Sequence, residues 1–452
     1  MLSSSVTLTA AICSLFKPRP PAARGRGRRQ HQQATSLPFD VMVDIASRTD
    51  PVTLVRFAAT CREARRRVAD DPATFRRRLR LRHTDRFVLP LLRGHFINKV
   101  EYDDDYKRKE ELCLVDTTEA DATSVVKVRG GLAATCPSGG KDLSLLEPVS
   151  SRGGLLLIRT RNKKTPCHEN LVVCDMATRR SQILPWHQKE PYYYFNESLV
   201  LLVGDDETTA SGGGGGVGRP FQVLKARIVT SENSRSHRYL SIQMFSSEHG
   251  VWGPSTNFTT PNLLGLISYD SSYRPLVVNG IVHWLCLTSR GSYVLMLHVK
   301  AGRVTLTNLP PKFPRVKSQQ QWHIRYLLAT DSLCGNLIVL VSDHEKISMW
   351  VQSKHTKIWK DQPQVVIMNE DILRFDNASD SLEGRPETVL ADLVWFSETS
   401  GAVLLKICDC YFWLNLQSKK IVRQFSDRQV QYVYCPYEMK LSSWVPTFSS
   451  RI

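Results

Sequence analysis

Short apolar runs of strand length alternate with turn signals from about residue 120 to the end of the chain. Leu276–Val278 and Ile281–Trp284 flank Asn279-Gly280, and Ser400-Gly401 lies between apolar runs in the same manner. An Asn-Gly pair between apolar runs predicts a tight hairpin, because both residues tolerate positive φ. The pattern predicts an all-β domain over residues 120–445, which is the larger part of the 452-residue chain.

The turns of this domain also recur at a regular distance. A polar or Gly turn followed by an apolar or Trp-containing strand occurs at Glu248–Trp252, Lys300–Val304, Lys354–Trp359 and Gln417–Ile421. The repeats lie about 50 to 60 residues apart, which is the length of a propeller blade. The length of the domain therefore predicts a β-propeller of about six or seven blades, which is favoured over a stacked β-sandwich.

A run of five glycines, Gly212–Gly216, interrupts this domain after the acidic Asp205–Glu207. A phosphate-binding loop needs Lys followed by Ser or Thr after the last glycine, whereas Val217–Pro220 follows here. The sequence therefore predicts a flexible Gly-rich insertion at residues 205–220 between two strands.

The stretch from Ser36 to His83 has a different period. Val41, Met42 and Ile45 recur at helical spacing, which predicts one apolar helix face. Asp50-Pro51 and Asp71-Pro72 are helix start signals, because Asp accepts free backbone N–H groups and Pro suits the first helical position. Spacing alone is compatible with an ordinary small helical bundle that has a charged outer face.

The order of residues in this stretch resembles the F-box. The matching residues are Leu37-Pro38, Ile45, Ser47-Arg48, Leu54–Phe57, Cys61-Arg62, Asp71-Pro72 and Phe75. The chain departs from the family at Ala64, where the F-box usually has Trp. The later segments Gly154–Leu157, Val172–Thr178 and Val278–Leu285 are similar to the F-box-associated domain of a large plant group of F-box proteins.

These resemblances imply a substrate-recognition subunit of a cullin-based ubiquitin ligase of the SCF type. The F-box of residues 36–83 would dock on the Skp-family adaptor, and the β domain would hold a target protein for ubiquitination. The resemblance implies the following adaptor-binding residues: Leu37, Pro38, Val41, Met42, Ile45, Leu54, Val55, Cys61 and Arg62. The implied fold class is α + β and multidomain, with a short helical F-box ahead of the β-propeller.

The charge of the chain is concentrated at its N-terminal end. Residues 1–99 hold 20 Lys and Arg residues against seven Asp and Glu residues, which accounts for +13 of the total of +17. This asymmetry indicates an acidic partner or a nucleic acid at the first hundred residues, or a solvated basic face. Residues 1–35 contain no acidic residue, and they are predicted to be a disordered basic leader, with an organelle transit peptide as the alternative.

Residues 84–119 are predicted to be a linker, in which Asp103–Asp105 and the following Lys107–Lys109 form a solvated loop. The eleven cysteines include no Cys-x-x-Cys pair, which fits reduced thiols in the cytosol or nucleus. Cys167, His168 and Cys174 lack a second ligand pair at zinc spacing, so we expect no metal and no cofactor. The apolar runs are far shorter than the roughly 18 residues of a membrane-spanning helix, so we expect no membrane partner.

The sequence contains neither the Gly-x-Ser-x-Gly nor the His-Glu-x-x-His motif, and His283 beside Trp284 is typical of a core histidine. We therefore expect no catalytic residue and a non-enzymatic receptor in the cytoplasm, the nucleus or both. Its expected partners are the adaptor, the cullin and a target protein, with no nucleic acid. The alternative is a nucleic-acid-associated or organelle-targeted β-rich protein that uses its basic N-terminus.

Overall fold

The chain divides into two units, one of Met1–Asp85 with Lys440–Ile452 and one of Arg86–Met439. The computed structural model describes residues 37–47, 57–70, 92–102, 108–116, 125–127, 145–161, 169–176, 180–185, 197–203, 217, 220–230, 238–260, 263, 274–314, 324–331, 335–353, 355–375, 390–426 and 430–438. The predicted leader, most of the Gly-rich insertion and the site residues Leu54 and Val55 lie outside these residues.

The first unit contains the helices α1 (Phe39–Ser47) and α2 (Arg62–Arg65). Helix α2 continues into a π-helical turn at Arg66–Asp70. Residues 57–60 are also helical. The ring of Phe39 in α1 packs against the ring of Phe57 in the helical residues 57–60, with centroids 6.2 Å apart. Helix α1 covers the stretch in which the spacing of Val41, Met42 and Ile45 predicts a helix.

The second unit is built from antiparallel sheets. The described residues form six of them, which are numbered here as blades 1 to 6. Blade 1 has β1 (Leu92–Tyr102), β2 (Arg108–Asp116), β3 (Val125–Lys127) and β25 (Val430–Glu438). Blade 2 has β4 (Leu145–Arg152), β5 (Leu155–Arg161), β6 (Glu169–Asp175) and β7 (Arg180–Ile183). Blade 3 has β8 (Glu197–Val203), β9 (Phe221–Thr230), β10 (Arg238–Ser246), β11 (Val251–Trp252) and β12 (Thr256–Thr259).

The remaining three blades have four strands each. Blade 4 has β13 (Leu276–Val278), β14 (Ile281–Leu287), β15 (Ser292–His298) and β16 (Arg303–Asn308). Blade 5 has β17 (Arg325–Thr330), β18 (Leu337–Ser342), β19 (Lys346–Val351) and β20 (Gln364–Met368), followed by the helix α3 (Asn369–Phe375). Blade 6 has β21 (Asp392–Phe396), β22 (Ala402–Ile407), β23 (Cys410–Asn415) and β24 (Lys420–Ser426).

The first blade joins the two ends of this unit. Strand β25 pairs antiparallel with β1, with His95 opposite Pro436 and Ile97 opposite Val433. It is the edge strand of its sheet, as the first strand is in each of blades 2 to 6. One cavity is lined by residues in or next to all six of these edge strands. The sheets therefore surround a common axis as a six-bladed propeller, which confirms the predicted propeller and fixes the number of blades.

Blade 1 corrects the predicted linker at residues 84–119. Residues 92–102 and 108–116 are not a linker, because they form β1 and β2 and pair in register from Gly94–Asp116 to Tyr102–Arg108. The β domain therefore begins before residue 120. The predicted hairpins are confirmed, and Asn279 and Gly280 join β13 to β14 with φ angles of 51° and 73°. The recurring turns after Glu248, Lys300 and Gln417 connect the third strand of a blade to the fourth.

Most blades bury both faces of their sheet against neighbours. Four consecutive residues of β5, Leu155–Ile158, are all 0% exposed. Leu155 and Leu157 pack into the core shared with blade 3, and Leu156 and Ile158 pack into the core shared with blade 1. A strand covered on both faces has an unbroken apolar run rather than an alternating pattern, because successive side chains point to opposite faces.

A buried histidine lies between blades 6 and 1. His95 of β1 is 0% exposed and packs against Tyr411, Trp413 and Phe425, with ring centroids 5.7 to 6.4 Å apart. Neither ring nitrogen has a hydrogen-bond partner in the described part of the chain. Burial lowers the pKa of His95 from 6.5 to about 3, because the charged ring cannot be solvated there.

Candidate functional site

The first helix presents apolar side chains on two sides. Val43 and Ala46 are each 3% exposed. Leu37, just before α1, and Val41 remain 48% and 42% exposed. Removal of exposed apolar side chains from water by a second surface lowers the free energy. The side of α1 that carries Val41 therefore presents an exposed apolar surface.

The nine predicted adaptor-binding residues are distributed over exposed, half-buried and undescribed positions. Leu37, Pro38, Val41 and Arg62 are exposed, and Met42, Ile45 and Cys61 are half-buried. Val41 and Ile45 are one helical turn apart and lie on one side of α1, as their spacing predicts. Leu54 and Val55 lie outside the described residues.

Cys61 caps the N-terminus of α2 through a hydrogen bond with Ala64. The Cys61 thiol occupies the N-cap position and accepts a hydrogen bond from the Ala64 N–H at 3.4 Å. Ala64 is 0% exposed, as is Val68 one turn later. The position at which the F-box family usually has Trp is therefore an interior position of this chain, filled by a methyl group.

The exposed side of α2 is basic. Arg66 and Arg67 both bind the same carboxylate, that of Glu63, at 3.1 Å. The hydrogen bond from Arg67 is the largest cause that lowers the pKa of Glu63. Arg67 also lies 4.0 Å from Asp40 of α1. One carboxylate shared by two guanidinium groups leaves a positive rim beside the apolar residues of α1.

A cavity of about 50 Å³ lies on the axis of the propeller. Four charged side chains line it, and they come from different blades: Arg152, Arg274, Glu398 and Glu438. A volume of this size holds a few water molecules or one small ligand. All six blades contribute residues to this axis cavity.

Glu398 connects three blades at the axis cavity. Its carboxylate forms an ion pair with Arg152 of β4 and accepts a hydrogen bond from the N–H of Val277 in β13 at 3.1 Å. Arg152 in turn donates to the carbonyl oxygen of Leu201 in β8 at 3.0 Å. Both members of the ion pair are largely buried, with side chains 23% and 25% exposed. This network therefore ties blades 2, 3, 4 and 6 together near the axis.

Glu438 of β25 links blade 1 to the residues that follow β21 in blade 6. Its carboxylate accepts hydrogen bonds from the N–H groups of Thr399 and Ser400, at 3.0 Å and 2.6 Å. Burial raises the pKa of Glu438 above its usual 4.5, and these hydrogen bonds oppose that change because they favour the charged form.

Arg274 differs from the other charged residues of the axis cavity. Its guanidinium lies 4.3 Å from the ring centroid of Trp395, in a cation–π contact. Removal from water lowers the pKa of Arg274 from 12.5 to about 10, a value at which the side chain is still charged at neutral pH. In the parts of the chain that the structure describes, Arg274 has no hydrogen-bond or ion-pair partner.

A larger groove of about 510 Å³ lies between blades 4 and 5. Ile358 is 68% exposed on its edge, and Trp359 beside it is only 7% exposed. Lys357 holds a left-handed backbone conformation with φ 59°, and its carbonyl oxygen accepts a hydrogen bond from the Gln352 side chain at 3.0 Å. Apolar and basic side chains thus lie together on a loop that is fixed by hydrogen bonds.

Comparison with known families supplies one match. Residues 118–449 match the family described as a domain of unknown function, DUF7595. The chain belongs to this family. The DUF7595 match begins after β2, so it omits two strands that the structure places in blade 1. Comparison with curated protein sequences yields no relative of this DUF7595 chain.

Solved structures similar to the DUF7595 chain share little sequence with it. One is a chain of a nidogen/laminin complex, 8% identical, which covers 75% of this chain and 96% of that chain with a TM-score of 0.37. Another is a protein from Lactobacillus plantarum, 11% identical, covering 74% and 82% with a TM-score of 0.36. A protein of unknown function from Dyadobacter fermentans is 9% identical, covering 64% and 83% with a TM-score of 0.31. With identities and TM-scores this low, these structures carry no functional inference.

Sequence reasoning did not find the axis cavity. The partners of the Arg152, Glu398 and Glu438 side chains lie on other blades, far away in the sequence, and no local pattern marks these residues. His283, expected in the core, is 7% exposed, and its Nδ1 lies 3.3 Å from the carbonyl oxygen of Leu276. Cys167 and His168 lie outside the described residues, and Cys174 is buried in β6.

No helix in the described residues has both the length and the apolar content needed to cross a membrane.

Proposed function

We propose that the DUF7595 chain is a non-catalytic substrate-recognition subunit of a cullin-based ubiquitin ligase. The helical unit binds the Skp-family adaptor, and the propeller holds a target protein. The observation that carries the proposal is the exposed apolar side of α1, with Leu37 and Val41 beside an arginine-rich rim. This arrangement agrees with the ordered F-box resemblance of residues 37–75.

The role requires no catalytic residue in this chain. A receptor accelerates ubiquitin transfer by raising the local concentration of the target near the ubiquitin-charged enzyme. The proposed place of action is the cytoplasm, the nucleus or both, where the other subunits of such a ligase would have to meet it. Docking of the adaptor on the helical unit does not depend on which target protein the propeller holds.

The strength of the apolar contact follows from the exposure of its residues. Full burial of a Val or Leu side chain contributes about 1.5 to 3 kcal/mol. Leu37 and Val41 are 48% and 42% exposed, so adaptor docking has nearly half of each side chain left to bury. Together they contribute about 2 kcal/mol, which is a factor of roughly 30 in Kd. Aspartate at either position adds the cost of burying a charge.

The experiment measures binding of the purified full chain to a purified Skp-family adaptor by calorimetry, and recovery of adaptor and cullin from cell extract. The double variant Leu37→Asp, Val41→Asp is expected to bind at least about 30-fold more weakly. The matched control is Val251→Asp, which places the same charge on a valine of β11 that is 58% exposed. Equal binding by wild type and double variant, or no binding by wild type, would refute the proposal.

The rival prediction, a nucleic-acid-associated or organelle-targeted protein, has a different dependence on salt. Binding through phosphate contacts weakens steeply as salt rises, because each contact releases counterions. Apolar docking of Leu37 and Val41 changes far less over the same range. Binding of labelled RNA or DNA that falls by orders of magnitude between low and physiological salt, together with no adaptor binding, would favour the rival.

A further inference from the structure

We propose that the axis cavity binds one compact anion, either a halide ion or a carboxylate group, through the guanidinium of Arg274. The site lies within the propeller and does not depend on the adaptor docking proposed above. Four observations carry the inference: a guanidinium without an ion-pair partner among the described residues, a set of unsatisfied donors, a neighbouring thiol that stays neutral, and the size of the cavity.

Arg274 forms no ion pair with the two carboxylates that share the cavity. Glu398 is occupied by Arg152 and by the backbone of blade 4, and Glu438 is occupied by the N–H groups of Thr399 and Ser400. A guanidinium group removed from water without an anionic partner is costly, and a bound anion offsets that cost. The carboxylates around the cavity thus have other partners, and Arg274 has no ion-pair partner among the described residues.

The other unsatisfied groups of the cavity are also able to donate hydrogen bonds. The indole Nε1 of Trp395 and the hydroxyl of Ser151 are buried and have no partner in the described part of the chain. Both residues line the axis cavity. An indole N–H can only donate, and a hydroxyl can donate or accept. Together with Arg274, these groups favour a ligand that accepts hydrogen bonds.

The neighbouring thiol does not take the place of an anion. Cys435 lines the same cavity and is 1% exposed. Burial raises the pKa of the Cys435 thiol, although the nearby Arg274 opposes that change. The thiol is therefore protonated at neutral pH and supplies no negative charge.

The volume limits the ligand. A cavity of about 50 Å³ accommodates a monatomic halide or a carboxylate group with a short stem, and it excludes a peptide segment or a nucleotide. A halide would come from the solution, whereas a carboxylate would come from a small metabolite or an inserted acidic side chain. Both present the same chemistry to Arg274.

The first test is the melting temperature of the full chain at constant ionic strength. Sodium bromide and sodium acetate are the two probes, and sodium HEPES, whose anion is larger than the cavity, is the baseline. A ligand that binds only the folded state raises Tm, by about 2 °C for each tenfold rise in concentration above Kd for a domain of this size. Stabilisation by bromide, by acetate or by both identifies which source of anion fits.

The variant Arg274→Gln is expected to remove this anion dependence. Its matched control is Arg303→Gln, which deletes the same charge from an exposed position of β16 and should retain the full effect. Trp395→Phe keeps a ring under the guanidinium and removes only the N–H donor, so it should weaken anion binding several-fold. If Arg274→Gln fails to fold, the wild-type titration and the crystallographic test below decide.

The second test is a crystal structure of the full chain grown in sodium bromide. The expected result is an anomalous bromide peak beside the Arg274 guanidinium and the Trp395 indole. Melting temperatures that are equal in all three salts, with only water molecules in the axis cavity, would overturn the proposal. An anion effect that is unchanged in Arg274→Gln would overturn it as well, because the anion would then bind elsewhere.

Discussion

Replacement of His95 by phenylalanine is expected to remove a large part of the acid sensitivity of the propeller. His95 lies between blades 1 and 6 among three aromatic rings, is 0% exposed and has both ring nitrogens unsatisfied in the described part of the chain. A phenyl ring is flat like the imidazole ring that it replaces, and it has no polar atoms that need hydrogen bonds. At pH 7 the variant should therefore be at least as stable as the wild type.

The size of the effect follows from the pKa of His95. In the unfolded chain the ring has its ordinary pKa of 6.5, whereas burial lowers the folded value to about 3. The unfolded state therefore binds a proton as pH falls below 6.5, and the folded state does not bind it until about pH 3. Stability is lost as pH falls through this window, at up to 1.36 kcal/mol per pH unit, which gives about 2 kcal/mol between pH 7 and pH 5.

The assay is urea unfolding of wild type and His95→Phe at several values between pH 7 and pH 5. The difference in unfolding free energy between the two proteins should grow by about 2 kcal/mol over this range. His283 is present in both proteins, and burial also lowers its pKa, to about 4, so it cancels in the difference. A difference that stays constant with pH would refute the assignment of a neutral, buried His95.

Two further changes test the axis network and a hairpin. Glu398→Gln removes the anionic partner of Arg152 and should destabilise the propeller by about 2 kcal/mol in urea unfolding, because it leaves the charge of a largely buried guanidinium uncompensated. Its control, Glu370→Gln, removes a partner of Arg374 in an exposed pair and should cause no measurable change, so equal effects would count against the network. Gly280→Ala has free space around the new Cβ but a φ of +73°, so it should destabilise by about 1 kcal/mol, whereas Gly253→Ala should cost less.

Local signals explain which parts of the fold the sequence could predict. The hairpin at Asn279-Gly280 is encoded by two adjacent residues that accept positive φ, and it forms where predicted. Strand β1 is different, because its short apolar pair Phe96-Ile97 sits among polar residues and its partner β25 lies more than 300 residues away. A pairing at this distance leaves no local pattern. The other partner, β2, is close in the sequence, but the charged segment Asp103–Lys107 between the two strands resembles a solvated loop, so the whole stretch resembles a linker.

Helix α1 shows which features of a helix the spacing of its apolar residues can predict. The spacing of Val41 and Ile45 predicts one apolar side of α1, and the structure places these residues on one side of it. The spacing does not reveal that Val43 and Ala46, on the other side, are the buried residues. Which apolar side faces the interior is decided by the elements packed against the helix.

The chemistry of the axis cavity follows from the geometry of a closed ring of sheets. The innermost strand of each blade is an edge strand, so backbone groups that face the axis have no ladder partner. Side chains of neighbouring blades supply these partners: Ser150 and Arg152 bind the backbone of Leu201, and Glu398 binds the N–H of Val277.

Glu438 does the same for Thr399 and Ser400, which leaves Arg274 as the one charged residue lining the cavity that meets no backbone group in the described part of the chain. A charge at the axis that satisfies no backbone group is not explained by closure of the ring. It is explained by a ligand that brings the opposite charge.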